Sequence, residues 1–157
     1  MKHLIPALVL LAALPLQAAE PGAGTPAAVA TQPPTTEAVG NLAGHPWMLN
    51  AISVRPPDHP NAASLKQHAE RVHPPGKMFF EFTTDGQYTM VRGGESRQTG
   101  TWSLVADNLT LTRSKEAGAP LVFGISNLSK DRLTLKLPLP SGAPDVLLDF
   151  APGSMPQ

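Results

Sequence analysis

The chain contains no cysteine. Disulfides, thiolate metal sites, thiol nucleophiles and a lipid-modified N-terminal cysteine are therefore excluded. Aromatic residues are also scarce, at 5% of the 157 residues. Proteins that bind single-stranded nucleic acid interleave stacking aromatics with clustered lysine and arginine, and no such cluster is present here. Nucleic acid is therefore not an expected partner.

Net charge is equally absent, because 12 basic and 12 acidic side chains cancel. Loss of an N-terminal leader would remove Lys2 alone and leave a net charge of about minus one. The length suits a single domain with one small core. The 18 prolines and 13 glycines gather in linkers and turns and do not interrupt the segments of alternating hydrophobicity.

Residues 1–18 have the three parts of a secretory signal peptide: Lys2 and His3, an apolar run over residues 4–14, and small residues around Ala18 and Ala19. We expect cleavage at Ala18 or Ala19. The apolar run is too short to span a bilayer, so no membrane span is expected after cleavage. The predicted location is the periplasm or the outside of the cell.

Residues 19–41 consist mainly of proline, alanine, threonine and glycine, with two acidic residues and no aromatic one. Such a composition cannot bury enough surface to offset chain entropy, which predicts a disordered spacer. Residues 152–157 are predicted to form a frayed tail. The folded domain is therefore expected at residues 42–151.

Alternating apolar and polar residues between turn signals dominate residues 42–151. The clearest part is residues 78–112, where Asp85-Gly86 is typical of a tight hairpin between two strands. Eight such segments follow from Trp47 onward, and residues 62–72 are predicted to form a short helix after the first of them. Trp47 is expected to share its face with Leu49, Ala51 and Ser53. The pattern predicts an all-β fold, an eight-stranded antiparallel meander barrel without exposed sheet edges.

Four stretches, LAGHPW, FEFTTDGQYT, GTWSL and VLLDFAP, resemble the small bacterial lipocalin-like domains of the calycin group. The resemblance covers residues 42–151 and implies an exported eight-stranded barrel. Two residues separate Gly44 from Trp47, one more than in the opening motif of ligand-carrying lipocalins. The resemblance implies carriage of a hydrophobic molecule by analogy of fold, and fold alone does not fix function.

A ligand inside such a barrel would contact inward-facing side chains, mostly apolar with a few polar groups. Arg92 and Arg113 are in phase with the inward positions and are candidate partners for a ligand carboxylate. The alternative is an interior filled entirely by side chains, as eight short strands allow. The candidate lining residues are Trp47, Phe80, Phe82, Tyr88, Arg92, Trp102, Leu104, Arg113 and Phe123.

Other functions rest on weaker signals. His59, His68 and His73, together with His45, are weak candidates for a zinc or copper site, because His68 and His73 lack the i, i+4 spacing of two ligands on one helical face. An envelope protein could be the partner, bound through the long connection at residues 55–76. The sequence lacks a G-x-S-x-G nucleophile motif, and neither an enzyme nor a cofactor is predicted.

Overall fold

Every predicted strand segment forms a strand in the structure, a computed structural model that describes residues 34–94, 96–114 and 118–156. The predicted signal peptide and residues 19–33 of the predicted spacer lie outside the described residues. The elements in chain order are α1 (Thr36–Ala43), β1 (Trp47–Arg55), α2 (Ala62–Val72), β2 (Met78–Phe82), β3 (Gln87–Arg92), β4 (Ser96–Val105), β5 (Asn108–Arg113), β6 (Leu121–Ser129), β7 (Arg132–Lys136) and β8 (Asp145–Pro152).

Each strand pairs antiparallel with the next, and β8 pairs with β1 to close the barrel. The predicted eight-stranded meander is therefore confirmed. The hairpin between β2 and β3 turns through Gly86, whose φ of 84° lies in the region that glycine reaches without a Cβ clash. One end of the barrel, the mouth, carries the long β1–β2 connection and the β3–β4, β5–β6 and β7–β8 loops. The other end, the base, carries α1 and the remaining hairpins.

The predicted inward face of β1 is wrong beyond Leu49. The register with β8 shifts between Leu49 and Ala51, so that one extra residue lies in β1 at that point. Such a bulge reverses the alternation that follows it. As a result Ile52 and Val54 are buried, whereas Ala51 is exposed and Ser53 is only half-buried.

Helix α1 lies partly within residues that the sequence assigns to the disordered spacer. Thr35 caps its N-terminus, since the Thr35 hydroxyl accepts a hydrogen bond from the amide of Ala38 at 3.2 Å. Its C-terminal end is held by Leu42, which is fully buried and whose carbonyl oxygen accepts a hydrogen bond from the Trp47 indole N–H at 2.8 Å. Composition alone does not reveal these contacts with the barrel. The contacts stabilise the helix and offset the chain entropy that the segment loses on folding.

Helix α2 has the predicted bounds, residues 62–72. It supports the barrel where β1 and β2 separate, because these two strands pair only at Trp47 with Phe80 and at Met48 with Phe79. Beyond that point the carbonyl oxygen of Leu49 accepts a hydrogen bond from the amide of Gly76, at 2.7 Å, in the segment after α2. The buried alanines of α2 belong to the same core as the barrel interior.

The two chain segments that follow β7 and β8 differ slightly from prediction. Strand β7 ends at Lys136, before Pro138, whose missing N–H cannot extend the ladder. Strand β8 continues to Pro152, and the Gly153 amide donates to the carbonyl oxygen of Pro46 at 2.9 Å, so the predicted tail begins as an ordered extension of the barrel. No helix within the described residues has the length and hydropathy needed to cross a membrane.

Candidate functional site

A cavity of about 300 Å³ lies at the mouth of the barrel. Most of its walls are apolar side chains that point inward from β2, β3, β5 and β6, and the loop after β7 closes one side. The helix-terminal residue His73 contributes from the end of α2. The lining residues are His73, Met78, Phe80, Tyr88, Met90, Arg92, Leu111, Arg113, Leu121, Phe123, Leu137, Pro138 and Leu139.

Five of the nine residues predicted to line a ligand site surround this cavity: Phe80, Tyr88, Arg92, Arg113 and Phe123. Strand register explains why they meet. Arg92 and Arg113 end their strands at the mouth, and Phe80 and Phe123 lie further inside on β2 and β6.

The other four predicted lining residues, Trp47, Phe82, Trp102 and Leu104, do not border the cavity. Trp47 and Phe82 are buried near the base, where the Phe82 ring lies 5.5 Å from that of Phe80 and meets the Trp102 ring edge-on at 5.9 Å. Leu104 is also buried and borders a separate opening beside α1. The base is thus filled by side chains, and the mouth is hollow.

Sequence reasoning assigns Leu111 to the barrel interior as well, and it missed the other seven lining residues. Met78, Met90, Leu111 and Leu121 are in phase with the inward positions, so the period of two carries a signal for them. The period of two does not indicate how far along the barrel axis a residue lies. That position separates the residues that line the cavity from those in the packed base. Leu137 and Leu139 continue the alternation of β7 beyond the end of the strand at Lys136, and for His73 the sequence suggests only a weak role as a metal ligand.

Two polar atoms in the cavity wall are buried without a hydrogen-bond partner among the described residues. They are Nε of Arg92 and Nδ1 of His73. Buried polar groups are nearly always satisfied, since an unmet donor costs about 1–3 kcal/mol and a charged one more. This pair therefore marks the mouth as a place where a polar group of a ligand would gain hydrogen bonds.

His73 also differs electrostatically from an exposed histidine. Burial lowers its pKa below the ordinary value of 6.5, and the nearby Arg92 and His68 lower it further. At neutral pH the imidazole is therefore neutral, with one nitrogen able to donate and the other to accept.

The structure does not assemble the histidines into a metal centre. Within the described residues no group of three or more histidine, aspartate or glutamate side chains is close enough to hold an ion. His59 lies in a turn, where its Nδ1 accepts a hydrogen bond from the amide of Asn61 at 3.1 Å. His45 packs against Trp47, with ring centroids 4.3 Å apart.

The described lining of the cavity combines apolar side chains with a few polar ones. Its described lining includes two arginines, a histidine and a tyrosine, and neither a carboxylate nor a hydroxyl of serine or threonine. The opening beside α1, of about 310 Å³, is bordered largely by polar residues such as Thr35, Glu37 and Asn127.

No family model and no curated protein matches the chain. Among solved structures it is similar to a lipocalin-like protein from Bacteroides uniformis, at 14% identity and a TM-score of 0.48 over 73% of this chain and 100% of that one. It is also similar to a DUF4847 family protein from Bacteroides vulgatus, at 12% identity and a TM-score of 0.47, over 73% of this chain and 96% of the other.

Likenesses this weak carry no argument about a ligand or partner. The barrel rests on the chain's own strand pairing. That pairing agrees with the fold implied by the sequence resemblance to small bacterial lipocalin-like domains.

Proposed function

We propose that this protein is a non-catalytic binding protein that holds a small, mainly apolar ligand in the cavity at the barrel mouth. The observation that carries the proposal is the cavity itself, which has largely apolar walls beside the hydrophobic core. Its volume of about 300 Å³ is at the lower end for small-molecule sites. The proposed location, the periplasm or the cell exterior, rests on the leader pattern of residues 1–18.

The volume limits the size of the ligand. Water occupies about 30 Å³ per molecule in the liquid, so about 300 Å³ holds roughly ten groups of that size. A methylene group is of similar size. A chain of about ten carbons would therefore fill the cavity, and a longer one would extend past the loop after β7.

The hypothesis of an envelope protein partner gains no specific support from α2, because its Ala62 and Ala69 are buried in the barrel core. The cavity is therefore the better-supported site.

Calorimetric titration with decan-1-ol, an uncharged chain of matching length, tests the proposal. We expect saturable binding of one molecule per protein. Leu121→Trp, which enlarges a half-buried lining residue, should weaken binding by about tenfold, since it displaces about two methylene groups worth roughly 0.8 kcal/mol each.

The matched control is Val122→Trp. Val122 neighbours Leu121, is 43% exposed and does not border the cavity, so its replacement should leave decanol binding unchanged. Absence of saturable binding, or equal affinities of the two variants, would contradict the proposal.

A further inference from the structure

We infer that the ligand carries a carboxylate, which lies at the barrel mouth between Arg92 and His73. This inference deepens the proposed function and rests on it. It concerns the chemical class of the ligand, a medium-chain carboxylate with its chain directed toward the base.

The first step is the charge of the cavity. The protein as a whole has equal numbers of acidic and basic side chains, yet the described lining contains two arginines and no acidic residue. Arg92 and Arg113 both stand at the mouth ends of their strands. The Nε atom of Arg92 is buried without a hydrogen-bond acceptor among the described residues, which is unfavourable, and an anionic ligand would supply the acceptor.

The second step is hydrogen bonding. Nε of Arg92 and Nδ1 of His73 are buried without a partner in the described part of the chain, and both belong to the cavity wall. Arginine nitrogens only donate, so Nε needs an acceptor; His73 Nδ1 donates in one tautomer and in the protonated ring. A carboxylate has two acceptor oxygens, which matches two donors in the wall of one cavity.

The third step is the polarity of the cavity along its depth. Phe80 and Phe123 are buried inside, and Met90, which pairs with Phe80, is also buried. Polar groups would be desolvated there without partners, whereas the arginines and His73 lie at the rim. The direction of the ligand follows: the apolar chain inside and the charged group at the mouth.

Calorimetry with three ligands of equal chain length separates charge from burial. The ligands are decanoate, decan-1-ol and decylamine at neutral pH. We expect decanoate to bind at least about tenfold more tightly than decanol, because hydrogen bonds to charged groups exceed those to neutral ones. Decylamine should bind most weakly, since its charge repels the arginines.

Arg92→Met keeps an apolar stem and removes the charge. It should weaken decanoate binding by about tenfold and decanol binding by a clearly smaller factor, because hydrogen bonds to charged groups exceed those to neutral ones. Arg97→Met is the matched control, because Arg97 belongs to neighbouring strand β4 and is exposed outside the cavity. It should change neither affinity.

The outcomes distinguish the two claims. Equal affinity of wild-type protein for decanoate and decanol would overturn the charge assignment and leave the binding function intact. No binding of any of the three chains would overturn both. The wild-type comparison requires no variant, so it decides the question even where Arg92→Met does not fold, which melting by circular dichroism would reveal.

Discussion

Replacing Trp47 by phenylalanine should destabilise this protein more than the same change at Trp102. Each indole N–H donates to a backbone carbonyl oxygen: Trp47 to Leu42 at 2.8 Å, and Trp102 to Thr83 at 3.0 Å. The environments differ. Trp47 and Leu42 are fully buried, whereas the hydrogen bond of Trp102 is exposed to solvent.

The magnitude follows from that difference. After Trp47→Phe the buried carbonyl of Leu42 loses its donor and water cannot replace it, which costs about 1–3 kcal/mol. The smaller ring adds about 1 kcal/mol for lost contact and the void it leaves. We therefore expect the free energy of unfolding to fall by about 2–4 kcal/mol. For Trp102→Phe water replaces the donor, and a loss of about 1 kcal/mol or less is expected.

Urea unfolding followed by circular dichroism measures both losses. A second readout is hydrogen exchange in α1, whose eight residues are too few to form a stable helix alone. In Trp47→Phe the amide of Val39, which donates to the carbonyl oxygen of Thr35 at 3.1 Å, should exchange faster. Equal destabilisation by the two variants, with unchanged exchange at Val39, would refute the claim that the hydrogen bond from Trp47 to Leu42 holds α1 on the barrel.

Two further predictions concern a close approach of strands and a titrating residue. Gly100→Ala would place its Cβ 2.0 Å from the carbonyl oxygen of Thr112. We therefore expect urea unfolding to show that the free energy of unfolding falls by at least about 2 kcal/mol. The control is Gly118→Ala, whose Cβ meets nothing within 4 Å and which should lower that free energy by less than about 0.5 kcal/mol. His73 has a lowered pKa in the folded state, owing to burial, Arg92 and His68, so the unfolded chain binds more protons below pH 6.5. Stability should be complete above that pH and decrease as the pH falls through it, and His73→Gln should reduce this slope; identical slopes would show that His73 does not contribute.

The sequence predicts the strands and their order well, because alternation and turn residues are local signals. The inward face that it predicts for β1 is wrong beyond Leu49, and the apolar spacing of the strand shows the cause. Apolar residues there are spaced by two, then by three between Leu49 and Ile52, and the register shift lies in that interval. The same spacing of three separates Ile125 from Leu128 in β6, where a second register shift occurs. A gap of three within an alternating strand therefore indicates a bulge.

Helix α1 shows where composition misleads. The threonine and glutamate at its start favour a helix N-terminus, but eight residues supply too little helical stability without tertiary contacts. The contact that decides it, between Leu42 and the Trp47 indole, joins a low-complexity segment to the barrel core. Such a bond depends on the folded barrel and is not readable from residues 36–43.

The position of the cavity depends on register, which alternation does not give. Alternation assigns Met78, Phe80 and Phe82 to one face of β2. Pairing then places Met78 opposite Arg92, at the mouth, and Phe82 opposite Tyr88, toward the base. Because the large rings of Trp47 and Phe150 also lie at the base, the interior fills there and stays hollow beside the arginines. The same register that leaves a void thus puts Arg92 and Arg113 at its opening, so the position of the cavity and the positive charge at its mouth have one structural cause.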